Sequence, residues 1–284
     1  MRSAEIGSTT SAGIDTESAA VVSSASEPAQ VERRSASATT RQKTLIIIPA
    51  HNEEKNIGKV LDELRSLDLG HDVLVINDAS TDHTGRVLEE HGQRSLRLRT
   101  CLGYGGAVQA GFKYALRHGF DFVVQMDGDF QHDPRSIPTL LAAVREGDAD
   151  LALGSRFLGE VRYRVPILRR AGMALFRTLV SCLMRRRITD PTSGFQAMRR
   201  NVVEFFAGET YPMDYPDSDV LLCLHLAGFR IEEVPVVMRP RLEGESIHGG
   251  LRTVYYLAKM FLAIPMVLLR HLARPRGRSE DPSP

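Results

Sequence analysis

Cysteine is scarce in this sequence of 284 residues, and its three copies, Cys101, Cys182 and Cys223, have no CxxC spacing. This argues against a structural zinc site or a disulfide framework and fits a reducing compartment, in which we expect such cysteines to be buried hydrophobes. An excess of one charge is also missing, since the net charge is +1, and no nucleic-acid partner is predicted. A charged start followed by an apolar run is missing too, so no signal peptide is expected.

The most apolar stretch of the chain is too short to span a bilayer, which needs roughly 20 apolar residues. It lies inside a predicted helix from about 251 to 271, in which Arg252, Lys259 and Arg270 fall on one narrow face. A basic stripe on an apolar helix indicates a helix lying in a membrane interface, here followed by a basic tail to residue 284. The alternative is a helix docked on the protein's own core or on a second copy in a homodimer.

The sequence divides into three parts by composition. Residues 1 to about 42 are rich in Ser, Ala, Thr and Glu and poor in large apolar side chains, which predicts a disordered tail. Residues 43–250 contain enough apolar residues for one α/β domain. The stretch 251–284 is the amphipathic helix and basic tail.

Strand patterns alternate with helix patterns from residue 44 onward, which predicts right-handed βαβ units, a mostly parallel sheet and helices on both of its faces. The predicted strands lie at 44–48, 72–77, 96–98, 122–126 and 150–154, and a further strand at 230–238 contains Pro235, which indicates a sheet edge. Asn52 is a candidate N-cap for the first helix, with Glu53 and Glu54 in its first turn. Asp133 and Pro134 predict an N-cap and an N1 proline.

Acidic and polar residues follow three of these strands. They are His51 to Glu53, Asp78 to Asp82, and Asp127 with Asp129, which are separated only by Gly128. Alone, Asp127-Gly128-Asp129 also fits a solvated turn. Because ligands of open α/β sheets bind at the carboxyl ends of the strands, the three sets together favour a crevice that holds a divalent cation and phosphate oxygens. The glycine cluster 103–106 fits a tight strand-to-helix turn better than a phosphate loop.

These residues resemble family 2 glycosyltransferases with the GT-A fold, and within them the polyprenyl-phosphate sugar synthases that are similar to dolichol-phosphate mannose synthase. The resemblance covers roughly residues 44 to 250. The matching motifs are PAHNEE at 49–54, NDASTD at 77–82, DGD at 127–129 with Gln131, GSR at 154–156, TSGF at 192–195 and GFRIEEVPV at 228–236. Two residues depart from the family pattern: Cys101 stands where Asn is common, and Gln196 where Arg is common.

The resemblance implies a nucleotide-sugar donor, a UDP- or GDP-sugar, across the carboxyl edge of the sheet. The implied donor-binding residues are Pro49, Ala50, Asn52, Glu53, Asp78, Gly103, Gly105, Asp127 and Gly128. Mg²⁺ or Mn²⁺ is expected on Asp127, Asp129 and Gln131. A polyprenyl phosphate is the expected acceptor, with Arg156, Ser193, Arg239 and Arg241 as acceptor-binding residues. We therefore expect a cytoplasmic protein held at the cytoplasmic face of a membrane.

The implied reaction is an inverting transfer through an oxocarbenium-like state, in which Asp129 acts with the metal. A lipid phosphate needs no general base, whereas a hydroxyl acceptor does, and Asp217 and Asp219 are the candidates. Their alternative role is to cap the helix predicted at 220–227. Two other functions stay open from the sequence: a family 2 glycosyltransferase acting on a hydroxyl of a soluble or cell-envelope acceptor, and a non-catalytic nucleotide-sugar-binding protein.

Overall fold

The computed structural model describes residues 42–158, 177–208, 211, 218–239, 264–267 and 269. Some of the predictions concern residues outside these ranges. They are the tail up to residue 41, the candidate base Asp217, the acceptor-binding Arg241, and the C-terminal helix and basic tail 251–284, except for the helical residues 264–267 and 269.

Seven strands form the sheet. They are β1 (Thr44–Ala50), β2 (Asp72–Asn77), β3 (Ser95–Arg97), β4 (Phe122–Gln125), β5 (Leu151–Ser155), β6 (Gln196–Arg199) and β7 (Ile231–Pro235). The described helices are α1 (Ile57–Ser66), α2 (Thr84–Glu90), α3 (Gly103–Arg117), a 3₁₀ turn (Pro134–Ser136) that leads into α4 (Ile137–Arg145), α5 (described over 177–183), α6 (Arg200–Ala207) and α7 (Ser218–Leu226).

The strands lie in the order β3-β2-β1-β4-β6-β5-β7. Every pairing is parallel except those of β6, which runs antiparallel to both β4 and β5. This confirms the predicted α/β fold with a mostly parallel sheet, and it confirms that the strand with Pro235 lies at an edge. The central strand β6 was missed, because residues 196–199 contain no β-branched side chain and directly follow a turn-rich segment.

Two hydrophobic layers cover the two faces of the sheet. Leu45 and Ile47 of β1 pack with Phe112 of α3 on one face. Ile46 and Ile48 pack with the buried residues of α1 and α4 on the other. This explains why the central strands are continuous apolar runs, since each alternate side chain meets a helix layer. Helices on both faces, as predicted, leave the carboxyl edge of the sheet to carry the polar residues.

Three local predictions are settled by the structure. Asp133 does cap the turn that leads into α4, because its carboxylate accepts a hydrogen bond from the Arg135 N–H at 3.0 Å. Asn52 is not an N-cap, because α1 begins only at Ile57 and has no acidic residue in its first turn. The expectation of buried cysteines is wrong as well: Cys101 and Cys182 are exposed and Cys223 is half-buried.

Within the described segments, every helix is too short or too polar to traverse a lipid bilayer.

Candidate functional site

The three polar strand ends lie side by side. Strand β1 is hydrogen-bonded to β2 on one side and to β4 on the other, with Ala50 opposite Asn77 and Ile47 opposite Gln125. The chain leaves all three strands at the same edge of the sheet because the strands are parallel. The predicted juxtaposition of the β1, β2 and β4 ends is therefore present, with Pro49 and Ala50 in the central strand.

The loop after β1 is bound to the loop after β2 by hydrogen bonds. Asn52 takes a left-handed conformation (φ 56°), and its side-chain oxygen accepts the Thr81 N–H at 2.8 Å. The Glu53 N–H donates to the Thr84 hydroxyl at 2.8 Å, and the Glu53 carboxylate accepts from the Asn56 amide at 2.8 Å. Asn52 thus fixes the relative position of two loops, which is a long-range role that a capping pattern does not reveal.

Asp78 is buried and bound to the start of α3. Its carboxylate accepts the backbone N–H of Leu102 at 2.7 Å and that of Gly103 at 2.9 Å, and Cys101 Sγ lies 3.3 Å away. The carboxylate therefore satisfies N–H groups at a helix start, where the helix dipole favours an anion. Gly103 has a left-handed backbone (φ 77°) and Gly105 is buried within α3, so the glycine cluster forms the first turn of this helix and not the predicted turn between strand and helix.

Asp127 is oriented by a side chain that the sequence did not suggest. The Tyr104 hydroxyl donates to Asp127 Oδ1 at 2.7 Å and accepts from Gln125 Nε2 at 3.0 Å. A Cβ atom on Gly194 would lie 2.7 Å from the Tyr104 oxygen and 3.4 Å from Asp127 Oδ1. A side chain at position 194 would displace the Tyr104 hydroxyl, so the TSGF segment belongs to the same site as the acidic pair. Gly128 has no such restriction, since its nearest contacts begin at 3.4 Å.

His132 supports the other side of Asp127. Its Nδ1 accepts the Asp127 N–H at 2.9 Å, so the proton of the neutral ring sits on Nε2, which lies 3.6 Å from Asp127 Oδ2. The ring is 4% exposed and stacks on Phe195, with centroids 4.7 Å apart. Burial lowers the pKa of His132 to about 4. This histidine is therefore a neutral donor that faces a carboxylate at neutral pH.

His132 predicts a pH dependence of folding stability. Its pKa of about 4 in the folded protein lies below the value of about 6.5 for an unfolded chain, so the unfolded state binds more protons in this range. We expect the contribution of His132 to the free energy of unfolding to fall as the pH drops from about 6.5 to about 4, by up to roughly 3 kcal/mol. The measurement is the free energy of unfolding by urea at about pH 7 and about pH 5, with a chelator present to remove metal ions.

The matched comparison is His132→Gln against His118→Gln, because His118 is exposed at the end of α3. The difference in free energy of unfolding between wild type and His132→Gln should shrink on acidification, whereas that for His118→Gln should stay nearly constant. A wild-type minus His132→Gln difference that does not depend on pH contradicts the assignment.

The residues after Asp127 form a tight loop. Asp129 is buried and accepts the Gln131 N–H at 3.0 Å, while Phe130 between them takes a left-handed conformation (φ 68°). A large side chain rarely adopts this conformation, and such strain is typical of functional sites. Gln131 also pairs with the chain at Arg239, whose N–H donates to the Gln131 carbonyl at 2.8 Å.

Arg239, a predicted acceptor-binding residue, is bound to carboxylates of the protein itself. Its guanidinium donates to both Glu63 carboxylate oxygens at 2.6 Å and lies 2.8 Å from Asp133 Oδ2 and 4.9 Å from the Phe130 ring centre. The hydrogen bond from Arg239 holds the pKa of Glu63 below its usual value. The pair fixes the position of residue 239, the last described residue of this segment, beside the loop of the acidic pair.

Arg156, another predicted acceptor-binding residue, forms a buried ion pair. Its Nε lies 2.6 Å from Asp190 Oδ2, and the two side chains are 11% and 0% exposed. Glu233 accepts the N–H groups of Thr189 and Asp190 and thereby holds the same loop from β7. After burial, the charges of Arg156 and Asp190 influence the pKa of His132 in opposite directions. The ion pair therefore lies near His132.

Two further predicted residues lie in the described part of the chain. Ser193 is buried, and its hydroxyl accepts the Phe195 N–H at 3.3 Å, which shapes the TSGF turn. Asp219 is buried in the first turn of α7, and its carboxylate accepts the Val220 N–H at 3.0 Å. Because α7 already begins at Ser218, Asp219 is inside the helix, and the capping alternative does not hold for it.

The chain matches a known protein family. Residues 45–206 match the family Glycosyl transferase family 2. The chain is 34% identical over 226 residues to an undecaprenyl-phosphate mannosyltransferase of Micrococcus luteus, covering 74% of this chain and 89% of that protein. It is also 34% identical over 227 residues to a polyprenol monophosphomannose synthase of Mycolicibacterium smegmatis, covering 74% and 82%.

Solved structures share the fold. Glucosyl-3-phosphoglycerate synthase from Mycobacterium tuberculosis superposes with a TM-score of 0.60 at 21% identity, over 84% of this chain and 83% of that chain. One crystal structure of that enzyme contains Mn²⁺, uridine diphosphate and glucosyl-3-phosphoglycerate. At this identity the likeness supports the GT-A-type fold. The extent of the family match and the identity to the two curated relatives show that this chain belongs to glycosyl transferase family 2 and is a glycosyltransferase.

Proposed function

We propose that the protein transfers a sugar, with inversion, from a nucleotide sugar to a polyprenyl phosphate, and that a divalent cation assists the transfer. The observation that carries the proposal is the 34% identity, over about three quarters of this chain, to two enzymes named for mannosyl transfer to polyprenyl phosphates. The donor is expected to be a GDP- or UDP-sugar, held by the residues from Pro49 to Glu53, by Asp78 and by the start of α3.

The residues proposed to hold Mg²⁺ or Mn²⁺ are chemically suited to a hard cation. Asp127 and Asp129 offer carboxylate oxygens and Gln131 an amide oxygen, and each belongs to one short loop at the end of β4. When bound, the cation supplies Lewis-acid stabilisation of the diphosphate charge that develops on the departing nucleotide.

The side chains around Asp127 have a distinct task in this proposal. Tyr104 donates a hydrogen bond to one carboxylate oxygen and thereby orients the carboxylate, while His132 Nε2 lies 3.6 Å from the other oxygen. Outer groups of this kind orient metal ligands and tune the affinity of the site. Neutral His132 does this without adding a positive charge that would compete with a cation.

Replacing Tyr104 by Phe tests this orientation. The substitution removes only the hydroxyl that donates to Asp127, so we expect the activation constant for Mn²⁺ to rise by roughly 10- to 100-fold, the cost that loss of an outer-shell partner typically has. Tyr114→Phe is the control, because Tyr114 lies on the same helix and stacks on His118 away from the acidic pair. Equal Mn²⁺ activation curves for the two variants contradict the role of Tyr104.

The acceptor determines whether a base is needed. A lipid phosphate is already an anion, so attack on the sugar needs no proton removal, and Asp217 and Asp219 then need not act as bases. Arg156, Ser193, Arg239 and Arg241 remain the proposed acceptor-binding residues. Two of them, Arg156 and Arg239, are already paired with carboxylates, so they are expected to act on the acceptor chiefly by fixing the loops beside it.

The test is a donor screen that measures nucleotide release with Mn²⁺ or Mg²⁺, with and without a polyprenyl phosphate. We expect release from one GDP- or UDP-sugar that depends on the lipid phosphate, together with a glycosylated lipid phosphate of inverted anomeric configuration. Transfer to a hydroxyl compound with no response to the lipid favours the alternative, a family 2 enzyme with a hydroxyl acceptor. Retention of configuration would overturn the inverting mechanism.

Membrane attachment through residues 251–284 is part of the proposal and has its own test. The full chain is expected to sediment with liposomes of anionic lipid, and a chain shortened after residue 250 is expected to lose this binding. If the two proteins bind liposomes equally, the proposed role of the C-terminal part is wrong. Binding of the full chain to a second copy instead would support the homodimer alternative.

A further inference from the structure

We propose that His51, Asp78 and Cys101 form a second metal site, selective for Zn²⁺, at the β1–β2 end of the crevice. A ring nitrogen of His51, a carboxylate oxygen of Asp78 and the sulfur of Cys101 all lie within 4.8 Å of one another. The three residues come from three different segments: His51 follows β1, Asp78 follows β2, and Cys101 precedes α3. The fold, rather than a local motif, brings them together.

The donor atoms fit zinc better than magnesium. Zn²⁺ takes thiolate, imidazole and carboxylate in tetrahedral geometry, whereas Mg²⁺ takes oxygen ligands and keeps several waters. Bond lengths of about 2.3 Å to sulfur and about 2.0–2.2 Å to oxygen place two tetrahedral ligands roughly 3.5 Å apart. Cys101 Sγ and Asp78 Oδ2 are already 3.3 Å apart. Asp127 and Asp129, which follow β4, offer only oxygen ligands and therefore suit a hard cation such as Mg²⁺.

The groups behind these ligands are arranged as they are around metal-bound residues. His51 Nδ1 lies 2.6 Å from the Asp78 backbone carbonyl, which can only accept, so in the metal-free protein this nitrogen carries the proton and the lone pair is on Nε2. The Asn52 amide donates to Nε2 at 3.3 Å, which fits the same tautomer, and a metal on Nε2 would replace this donor. The Asp78 carboxylate is held by the N–H groups of Leu102 and Gly103, which remain on it when its contact with the Cys101 thiol is replaced.

Exposure makes the site open. His51 and Cys101 are exposed while Asp78 is buried, so an ion reaches the site from solvent and keeps at least one position for water or another ligand. Binding releases the proton of the Cys101 thiol to solvent, since the thiolate is the ligand. Because Asp78 also belongs to the proposed nucleoside site, Zn²⁺ is expected to inhibit the transferase competitively with the donor; this consequence alone rests on the proposed function.

The binding test uses Co²⁺ as a spectroscopic substitute for Zn²⁺ and does not depend on activity. Wild type is expected to show a cobalt–thiolate charge-transfer band that Zn²⁺ removes. Cys101→Ala should lose the band and His51→Ala should weaken metal binding by more than the roughly 10- to 100-fold typical of an outer-shell loss. Cys182→Ala, which removes the other exposed thiol, and Asp127→Ala, which removes the hard-cation ligand, should both keep the band.

A wild type without the band, a band that survives in Cys101→Ala, or a band that depends on Cys182 overturns the site. Circular dichroism of each variant separates loss of ligand from loss of fold. In the transfer assay, inhibition by micromolar Zn²⁺ should be relieved in Cys101→Ala. If the band behaves as expected but no donor is turned over, the metal site stands and the proposed transferase reaction fails.

Discussion

Replacing Asp127 or Asp129 by asparagine is expected to lower kcat about 10³-fold, because Lewis-acid stabilisation of the leaving diphosphate is worth several kcal/mol and each 1.36 kcal/mol is tenfold. Asparagine keeps the size of the side chain and one oxygen acceptor, for the Tyr104 hydroxyl at position 127 and for the Gln131 N–H at position 129, so the loss of charge is isolated from loss of packing. The measurement is transfer rate against Mn²⁺ concentration, together with the free energy of unfolding. Saturating Mn²⁺ should not restore the rate of either variant.

Asp121→Asn supplies the control for these two substitutions. Asp121 precedes β4 at the opposite end of the same strand, where its exposed carboxylate accepts the Lys43 N–H at 2.8 Å. Its removal should leave the Mn²⁺ dependence unchanged. Full activity of Asp127→Asn or Asp129→Asn would remove the proposed cation site, whereas a variant that is inactive only because it is unfolded would be recognised from its unfolding curve.

The strand ends were predictable because they rest on local patterns. Buried apolar runs of the β1, β2 and β4 type are recognised from a few consecutive residues, and parallel strands must present their carboxyl ends on one edge. The positions of Asp78, Asp127 and Asp129 follow from that rule alone. Strand β6 could not be predicted in this way, because residues 196–199 have little intrinsic preference for a strand and form one only by pairing with β4 and β5.

The supporting residues of the site could not be found in the same way. Tyr104 reaches Asp127 across 23 positions, and Arg239 reaches Glu63 across 176. Contacts at such separation depend on how the helices dock. The sequence suggested Arg239 as an acceptor-binding residue, but it gave no sign that this arginine pairs with the Glu63 carboxylate of α1. The TSGF motif pointed to Gly194 from the sequence alone. The physical reason for a glycine there, the close approach of the Tyr104 hydroxyl, is visible only in the folded structure.

Arg156→Ala is expected to destabilise the protein by about 3–5 kcal/mol, the cost of removing one partner of a buried ion pair. Asp190 is fully buried and would lose the guanidinium that lies 2.6 Å away. Unfolding by urea should therefore show a large fall in the midpoint. Arg86→Ala is the matched control: its exposed pair with Glu90 is one turn apart on α2, and its loss should cost only about 0.3–0.5 kcal/mol.

The double variant Arg156→Ala/Asp190→Asn decides whether Arg156 acts through its ion pair with Asp190 or by binding the acceptor. Removing the charge of Asp190 as well should recover part of the lost stability, since the penalty of the single variant comes mainly from the unpaired carboxylate. An arginine that served only to bind a lipid phosphate would behave differently. Its replacement would leave the free energy of unfolding unchanged and raise the KM for the acceptor, and Asp190→Asn would then restore nothing. Stability and acceptor KM measured on wild type, Arg156→Ala and the double variant therefore separate a loop-fixing role from direct contact with the acceptor.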